Sequence, residues 1–234
     1  MNELAASLAL AGELIAAGDP KLAGIVGLSL QVSLTATLLA CLFGMPLGAL
    51  LSVGRFHGRR PLIVLFNGLM GLPPVVVGLL VYLLLSRAGP LGNLGLLFTP
   101  AAMIVAQTVL ITPIVAALTR QVIEDEWREY REQLRSLGAT RLRAARTLLW
   151  NARFSLTTAA LAGFGRAIAE VGAVMIVGGN IDGVTRVMTT TIALETSKGD
   201  LPLALALGAI LVAIVLALNT LAYGFRQWAE KRWG

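Results

Sequence analysis

Two opposite charges lie deep inside one apolar stretch of the chain. Arg166 and Glu170 are four positions apart, a spacing that places two side chains on the same face of a continuous helix. Burying either charge alone in an apolar medium is costly, so we expect the two to pair or to face a wet path or a subunit interface. Two interpretations stay open: side chains that line a polar path, or an ion pair that locks the helix.

The other reactive side chains suggest no covalent chemistry. His57 is the single histidine and sits in a basic stretch beside Arg55 and Arg59, while Cys41 lies within an apolar run. The chain contains no Gly-x-x-x-x-Gly-Lys-Ser/Thr phosphate-binding loop and no Gly-x-Ser-x-Gly elbow. We therefore predict no catalytic residue, no metal site and no cofactor in this chain.

The composition is that of a membrane protein. Of 234 residues, 56% are hydrophobic and 14% charged, and the mean hydropathy is +0.78, whereas soluble domains average about a quarter charged residues. The apolar stretches long enough to cross a hydrocarbon core are about Gly24–Val53, Pro61–Leu85, Phe98–Thr119, Phe154–Val177 and Leu201–Tyr223. We predict an all-α polytopic protein with about five transmembrane helices. Residues 1–234 would form one transmembrane domain, with 1–20 as an interfacial segment rather than a cleaved leader.

Lysine and arginine are distributed unequally among the connections between these stretches. The connections after the first and third stretches and the C-terminal end carry fourteen of them, and the opposite connections carry four. Cytoplasmic connections hold the excess of basic residues, so we predict an N-terminus outside and a C-terminus in the cytoplasm. The net charge of +6 is then explained by basic residues placed against the lipid of the membrane, and we expect no nucleic-acid partner.

The longest connection, residues 121–153, has helical periodicity. Its first apolar face, with spacings of three and four, consists of Val122, Ile123, Trp127, Tyr130, Leu134 and Leu137. Gly138 is predicted to end this helix and Thr140 to cap a second one. The apolar side of the second helix would consist of Leu142, Ala145 and Leu149. The pattern predicts two amphipathic helices joined by a tight bend, which suit a groove in a partner protein.

A short motif lies at this bend: Glu132-Gln-Leu-Arg-Ser-Leu-Gly138, followed by the apolar Leu148. It resembles the EAA loop of ABC-transporter permease subunits, with departures at Gln133, Leu134 and Trp150-Asn151. In that family the loop docks on a separate ATPase subunit. The resemblance implies that residues 121–153 form a cytoplasmic coupling loop, with contacts from Glu132, Leu134, Leu137, Gly138, Ala139 and Thr140. The alternative is a charged surface that is simply solvated.

Two later stretches extend the likeness. They are Phe164-Gly-Arg-Ala-Ile-Ala-Glu-Val-Gly-Ala-Val-Met175 and the segment from Gly178 to Gly199. They resemble the permeases of oxyanion importers, first of tungstate, then of molybdate, and more distantly of sulfate. The resemblance implies a type I ABC-importer permease bundle in a bacterial or archaeal inner membrane, which moves an oxyanion, in the first place tungstate, into the cytoplasm.

The same resemblance implies partners and further site residues. Two copies of the chain would form the pathway, cytoplasmic ATPase subunits would bind ATP and Mg, and an extracytoplasmic binding protein would deliver the substrate. The pathway or gate candidates are Arg166, Glu170, Gly172, Pro73 and Pro74. The candidates for docking of the binding protein are Asn180, Thr189 and Thr190. Core packing and an ordinary outer connection are the alternatives for these two groups.

Three rival classes stay open at this stage. An ion-driven secondary transporter usually has more spans, often from internal repeats, and proton-carrying carboxylates, whereas Glu170 is the one carboxylate deep in an apolar stretch. A membrane-bound enzyme is the second class, but the sequence contains no catalytic motif that supports it. A purely structural membrane subunit is the third class. Uptake that stops when an ATPase subunit is inactivated would separate the importer from all three.

Overall fold

The computed structural model describes residues 16–233 together with Ala5, Ala9, Gly12 and Glu13. The regular elements in this part of the chain are helical, which confirms the all-α prediction. They are α1 (Pro20–Val53), α2 (Arg59–Leu69), α3 (Pro74–Leu85), a 3₁₀ turn (Gly92–Leu94), α4 (Pro100–Ser136), α5 (Arg141–Asn151), α6 (Leu156–Ile168), α7 (Gly172–Gly178), α8 (Met188–Lys198) and α9 (Leu201–Trp233). The predicted interfacial segment 1–20 lies mostly outside the described residues and stays a prediction.

Three helices are long and apolar enough to cross a membrane: α1, α4 and the Leu201–Leu221 part of α9. Two further pairs meet the same criterion together, but α2 and α3 are bent by 104° and α6 and α7 by 58°. The described chain therefore offers three spans, or up to five if each bent pair counts as one. This agrees with the prediction of about five.

The second predicted span is broken at its prolines. The helix that begins at Arg59 ends at Leu69, and a new helix begins at Pro74. A proline lacks a backbone N–H and disfavours the helical conformation of the residue before it, so Pro73 and Pro74 together stop the first helix. Proline is well suited to the first position of a helix, and Pro74 accordingly starts α3. The predicted span over Pro61–Leu85 therefore consists of two helices that meet at a sharp bend.

The third predicted span and the amphipathic segment after it are one helix. α4 has 37 residues, with Pro113 inside it, and at about 1.5 Å per residue it measures roughly 55 Å. Its N-terminal part is apolar and its C-terminal part carries charges. The expected separation between a span and a surface helix therefore does not occur, and the first amphipathic segment continues the span directly.

The chain divides into two compact units. The first consists of Met1–Thr35, Pro74–Gln107 and Ile168–Asn219, and the second of Ala36–Pro73, Thr108–Ala167 and Thr220–Gly234. α1, α4 and α9 each contribute to both units. Whether they amount to one permease domain, as predicted, stays a prediction.

Small residues bring helices together within each unit. In the first unit, a Cβ at Gly78 of α3 would lie 2.7 Å from the Cα of Ala173 in α7. In the second unit, a Cβ at Gly48 of α1 would lie 2.4 Å from the carbonyl oxygen of Ala116 in α4. Glycine at such points allows backbones to approach closely, as is common between membrane helices.

Candidate functional site

The bend between α4 and α5 is built by local backbone chemistry. Gly138 has φ +67°, a conformation that glycine adopts without steric cost. The Gly138 N–H donates to the Arg135 carbonyl at 3.0 Å and the Ala139 N–H to the Leu134 carbonyl at 2.9 Å. The Thr140 hydroxyl then accepts the Arg143 N–H at 3.4 Å as the N-cap of α5. Both the helix end at Gly138 and the cap at Thr140 are confirmed.

Much of the predicted apolar face packs against the chain itself. Ile123 of α4 is fully buried in a cluster with Ala49 and Val53 of α1, and with residues of α5 and the start of α6. Trp127, Tyr130 and Leu134 are partly buried against this cluster. Leu134 therefore makes an internal contact with part of its side chain, and its predicted contact with a partner stays a prediction.

The buried side of α5 matches the predicted one in part. The buried residues are Ala144, Ala145 and Leu148, whereas Leu142 is 68% exposed. Of the predicted set, Ala145 is buried in the cluster and Leu149 packs against it, which confirms these two, whereas the prediction for Leu142 is wrong. α1 and α4 both pack against α5 in the cluster, and this tertiary contact decides which side is buried.

An exposed apolar surface remains at the corner. Leu137 is 81% exposed, at the last residue before Gly138, and Trp150 at the other end of α5 is 72% exposed. Of the other predicted coupling residues, Glu132, Gly138 and Thr140 are exposed and Ala139 is half-buried. We call Glu132 and residues 137–142 the corner surface. It is available to a partner, whereas Leu134 is half-buried.

Hydrogen bonds hold the corner in place. The Asn151 amide donates to Glu126 Oε2 at 2.6 Å, which ties the end of α5 to α4. The Arg141 guanidinium donates to the Arg55 carbonyl at 3.1 Å, which ties the start of α5 to the connection after α1. The sequence offered no signal for either bond beyond the polar residue types. The corner is therefore a braced projection.

Arg166 and Glu170 do not share a helix face. α6 ends at Ile168, so Arg166 lies in its last turn and in the second unit, while Glu170 lies in the connection to α7 and in the first unit. The prediction that both residues lie on one continuous helix is therefore wrong, and the predicted span over Phe154–Val177 consists of two helices. Whether the two side chains pair stays a prediction. Their roles in a pathway or gate stay predictions.

Glu170 is buried at the start of α7. It is 2% exposed, and its Oε1 accepts the N–H of Ala173 at 3.0 Å. Its backbone carbonyl accepts the hydroxyl of Thr189 at 2.8 Å. A carboxylate that accepts an N–H in the first turn of a helix acts as a cap. The N-cap position itself is Val171, so Glu170 satisfies this N–H from the residue before the cap.

Several polar side chains line a small cavity together with Glu170 in the first unit. Ser29, Ser33, Gln107 and Thr189 are among the lining residues. The Ser29 hydroxyl donates to the Ile25 carbonyl at 2.7 Å and accepts the Met188 N–H at 2.8 Å, which joins α1 to α8. Sequence reasoning missed the two serines and the glutamine, because a single polar residue in an apolar stretch gives no periodic signal.

The threonine run is internal. Thr189 is 7% exposed and Thr190 is 0% exposed, and both lie in the first turn of α8. The prediction that they belong to a polar outer loop is wrong, and their docking role with a binding protein is not supported. Asn180 is half-buried in the connection before α8, with φ +49°, and its docking role stays a prediction.

The starts of α3 and α7 come together. A Cβ at Gly172 would lie 2.8 Å from Cγ2 of Val75, next to Pro74. Two of the predicted gate residues, Pro74 and Gly172, are thus neighbours in the first unit. Pro73 belongs to the second unit. The gate role of all three stays a prediction.

An ionic cluster joins the N-terminus of α1 to the connection before α8. Asp182 lies 2.9 Å from the Lys21 ammonium and 3.0 Å from the Arg186 guanidinium. The hydrogen bond from Lys21 holds the pKa of Asp182 below its ordinary value, and the charges of Arg186 and Lys21 act in the same direction. A cavity of about 550 Å³ lies beside these residues. The cluster joins positions 161 apart in sequence, so no local pattern could have predicted it.

These features define a polytopic helical membrane protein with two broken helices and one braced, exposed projection. Residues 9–234 match the family described as the inner membrane component of binding-protein-dependent transport systems, and the chain belongs to this family of ABC-transporter permeases.

Individual relatives are similar over most of their length. The tungstate uptake system permease protein TupB of Peptoclostridium acidaminophilum is 40% identical over 97% of this chain and 100% of its own length. A probable anion ABC transporter permease protein of Haloferax volcanii is 40% identical over 91% of this chain and 94% of its own. The sulfate transport system permease protein CysT of Salmonella typhimurium is 28% identical over 88% of this chain and 79% of its own length.

Proposed function

We propose that this chain is the membrane-spanning permease subunit of an ATP-driven importer that carries an oxyanion, tungstate, into the cytoplasm. The observation that carries the proposal is the 40% identity to a tungstate uptake permease across the whole of that relative. The similarity to an anion permease at the same level supports the wider substrate class. Molybdate and sulfate are the alternative substrates.

The corner surface is the proposed contact with the ATPase subunits. Leu137 and Leu142 offer exposed apolar area beside charged residues, a combination typical of the core and rim of a protein interface. α4 runs without a break from Pro100 to the corner. Movement of the ATPase subunits at the corner would therefore be transmitted along α4 as a rigid lever. ATP and Mg would be bound by those subunits.

Two copies of the chain are proposed to enclose the pathway, since three to five spans line only part of one. The basic connections would face the cytoplasm, and the opposite side would receive substrate from a binding protein. Arg166, Glu170, Gly172, Pro73 and Pro74 remain the proposed gate residues. Glu170 and Gly172 lie at a helix break, where a small backbone change can open or close a path.

Uptake by the reconstituted complex tests the proposal. The full chain is combined with its ATPase subunit and binding protein in proteoliposomes, and uptake of tungstate is measured with ATP present, with ATP absent, and with molybdate or sulfate in competition. We expect ATP-dependent uptake that tungstate saturates at the lowest concentration. Uptake that molybdate or sulfate dominates would overturn the substrate, and uptake driven by an ion gradient without ATP would overturn the mechanism.

A further inference from the structure

A largely apolar groove of about 420 Å³ lies between α1, α6 and the end of α5 in the second unit. Leu42, Met45 and Pro46 of α1 form one wall, and Leu156 and Ala160 form another. The groove is shallow and open along one side rather than enclosed. One wall belongs to the membrane-spanning α1 and the other to α6, which is part of a span if α6 and α7 count as one. An apolar chain from the bilayer could therefore lie in the groove.

One cation stands at the edge of this groove. Arg153 lines it, and the guanidinium carbon lies 4.4 Å from the centre of the Phe154 ring and 4.9 Å from that of Trp150. Arg153 also donates to the Trp150 carbonyl at 2.8 Å. No carboxylate among the described residues pairs with it. The stacking fixes the orientation of a guanidinium whose charge the described chain leaves uncompensated.

A second cavity adjoins the groove. It measures about 560 Å³ and is lined by Arg146, Thr147, Leu149 and Trp150. Leu149 lines both cavities, so they are contiguous along α5. Arg146 likewise has no ion-pair partner in the part of the chain that the structure describes. An apolar compartment thus meets a polar one that carries positive charge and a hydroxyl group.

We propose that the two cavities together bind one anionic phospholipid, with the phosphate at Arg153 and Arg146 and an acyl chain in the groove. Basic pockets between membrane helices are suited to anionic head groups. Trp150 is 72% exposed, as an indole at the level of the head groups would be. The occupant must combine a negative charge with a long apolar body, and an anionic lipid has both. The bound lipid would attach the end of α5 to the bilayer and so stiffen the base of the corner.

Native mass spectrometry of the full chain in detergent tests this inference. Phosphatidylglycerol and phosphatidylcholine with the same acyl chains are titrated separately, and the bound fraction is measured. We expect the wild-type chain to prefer phosphatidylglycerol. Arg153→Gln should bind it roughly fivefold more weakly, which corresponds to about 1 kcal/mol for one basic residue at an anionic surface. Arg153→Lys keeps the charge but loses the stacking, so its affinity for phosphatidylglycerol should lie between those of the wild type and Arg153→Gln.

Two further variants make the result specific. Ala160→Trp fills the groove, so it should weaken binding of both lipids. Arg60→Gln removes an exposed arginine that lines neither cavity, so it should bind phosphatidylglycerol like the wild type. Equal binding of the two lipids, or equal losses in Arg153→Gln and Arg60→Gln, would overturn the proposal. A change from dimer to monomer in Ala160→Trp with unchanged lipid binding would also overturn it, and would assign the groove to a second copy.

Discussion

The side chain of Glu170 illustrates how a polar group is accommodated in an apolar interior. It is 2% exposed, yet its Oε1 accepts the N–H of Ala173 at the start of α7. The N-terminal end of a helix favours negative charge, because the first N–H groups have no partners within the helix. The bond from Ala173 therefore gives one oxygen of Glu170 a buried polar partner at the helix break.

Replacing Glu170 should separate its capping role from its charge. Glu170→Ala leaves the Ala173 N–H buried and without its acceptor, which costs about 1–3 kcal/mol, so the temperature of unfolding in detergent should fall. Glu170→Gln keeps an acceptor oxygen, so its temperature of unfolding should fall less. Glu132→Ala, at an exposed position of α4, is the control and should unfold like the wild type. Equal unfolding temperatures for Glu170→Ala and the control would contradict the capping role.

The ionic cluster at Asp182 should give a pH-dependent stability with a definite sign. Because Lys21 and Arg186 lower its pKa in the folded chain, the folded state binds its proton less readily than the unfolded state. The contribution of Asp182 is then fully present above its ordinary pKa, near 4, and is lost as the pH falls through the lowered value.

Unfolding temperatures measured between neutral pH and about pH 3 would check this sign. Asp182→Asn should be less stable than the wild type at neutral pH and should converge with it in acid. Asp125→Asn removes an exposed carboxylate of α4 and controls for the general effect of charge. A difference between Asp182→Asn and the wild type that grows in acid would contradict the assignment.

The corner between α4 and α5 depends on one backbone conformation. At φ +67°, glycine is unstrained and asparagine is tolerated. Alanine in the same conformation is strained by about 1–2 kcal/mol. Proline cannot adopt this angle, and it also lacks the N–H that Gly138 donates to the Arg135 carbonyl. A change here alters how α5 leaves α4 while the membrane-spanning parts of the chain remain intact.

Gly138→Pro should uncouple ATP hydrolysis from uptake without preventing membrane insertion. Gly138→Asn is the matched control and should transport nearly as well as the wild type, since asparagine is the residue most often found in the left-handed conformation after glycine. The measurement is the ratio of substrate transported to ATP hydrolysed in proteoliposomes. A wild-type ratio in Gly138→Pro would contradict the proposed role of the corner.

Leu137 and Leu134 lie three residues apart but have different surroundings. Leu137 is 81% exposed, whereas Leu134 packs against the internal cluster around Ile123 and Leu148. Leu137→Glu should therefore weaken co-purification of the ATPase subunit at an unchanged unfolding temperature. Leu134→Glu should lower the unfolding temperature, because it brings a charge against an apolar cluster. Reversed effects of the two substitutions would show that the corner surface is wrongly assigned.

The parts of the fold that could be predicted from the sequence depend on local chemistry. Apolar length predicts the spans, and Gly138 and Thr140 predict the end of one helix and the start of the next. The exact position of the break at Glu170 is not predicted, because Gly172 allows either close helix packing or an unwound turn. The buried side of α5 depends on its contacts with α1 and α4. The burial of Thr189 depends on its contact with the connection at Glu170. The periodicity within each segment predicts neither contact.

The orientation of the whole molecule can be tested at two exposed positions. Fourteen basic residues on one set of connections against four on the other predict that the corner faces the cytoplasm. In a Cys41→Ser background, Val184→Cys, 48% exposed, should react with a membrane-impermeant maleimide added to intact cells. Leu137→Cys should react only after the membrane is permeabilised.

Ala106→Cys, at a position with 0% exposure, is the control for labelling and should remain unmodified on either side. Labelling of Leu137→Cys in intact cells would place the corner outside, where no ATP-hydrolysing subunit could reach it. The direction of transport and the role of the corner would then be wrong together, because both follow from the side on which the arginine-rich connections lie. Labelling of Val184→Cys alone would leave the corner on the side where ATP is available, as the proposed coupling requires.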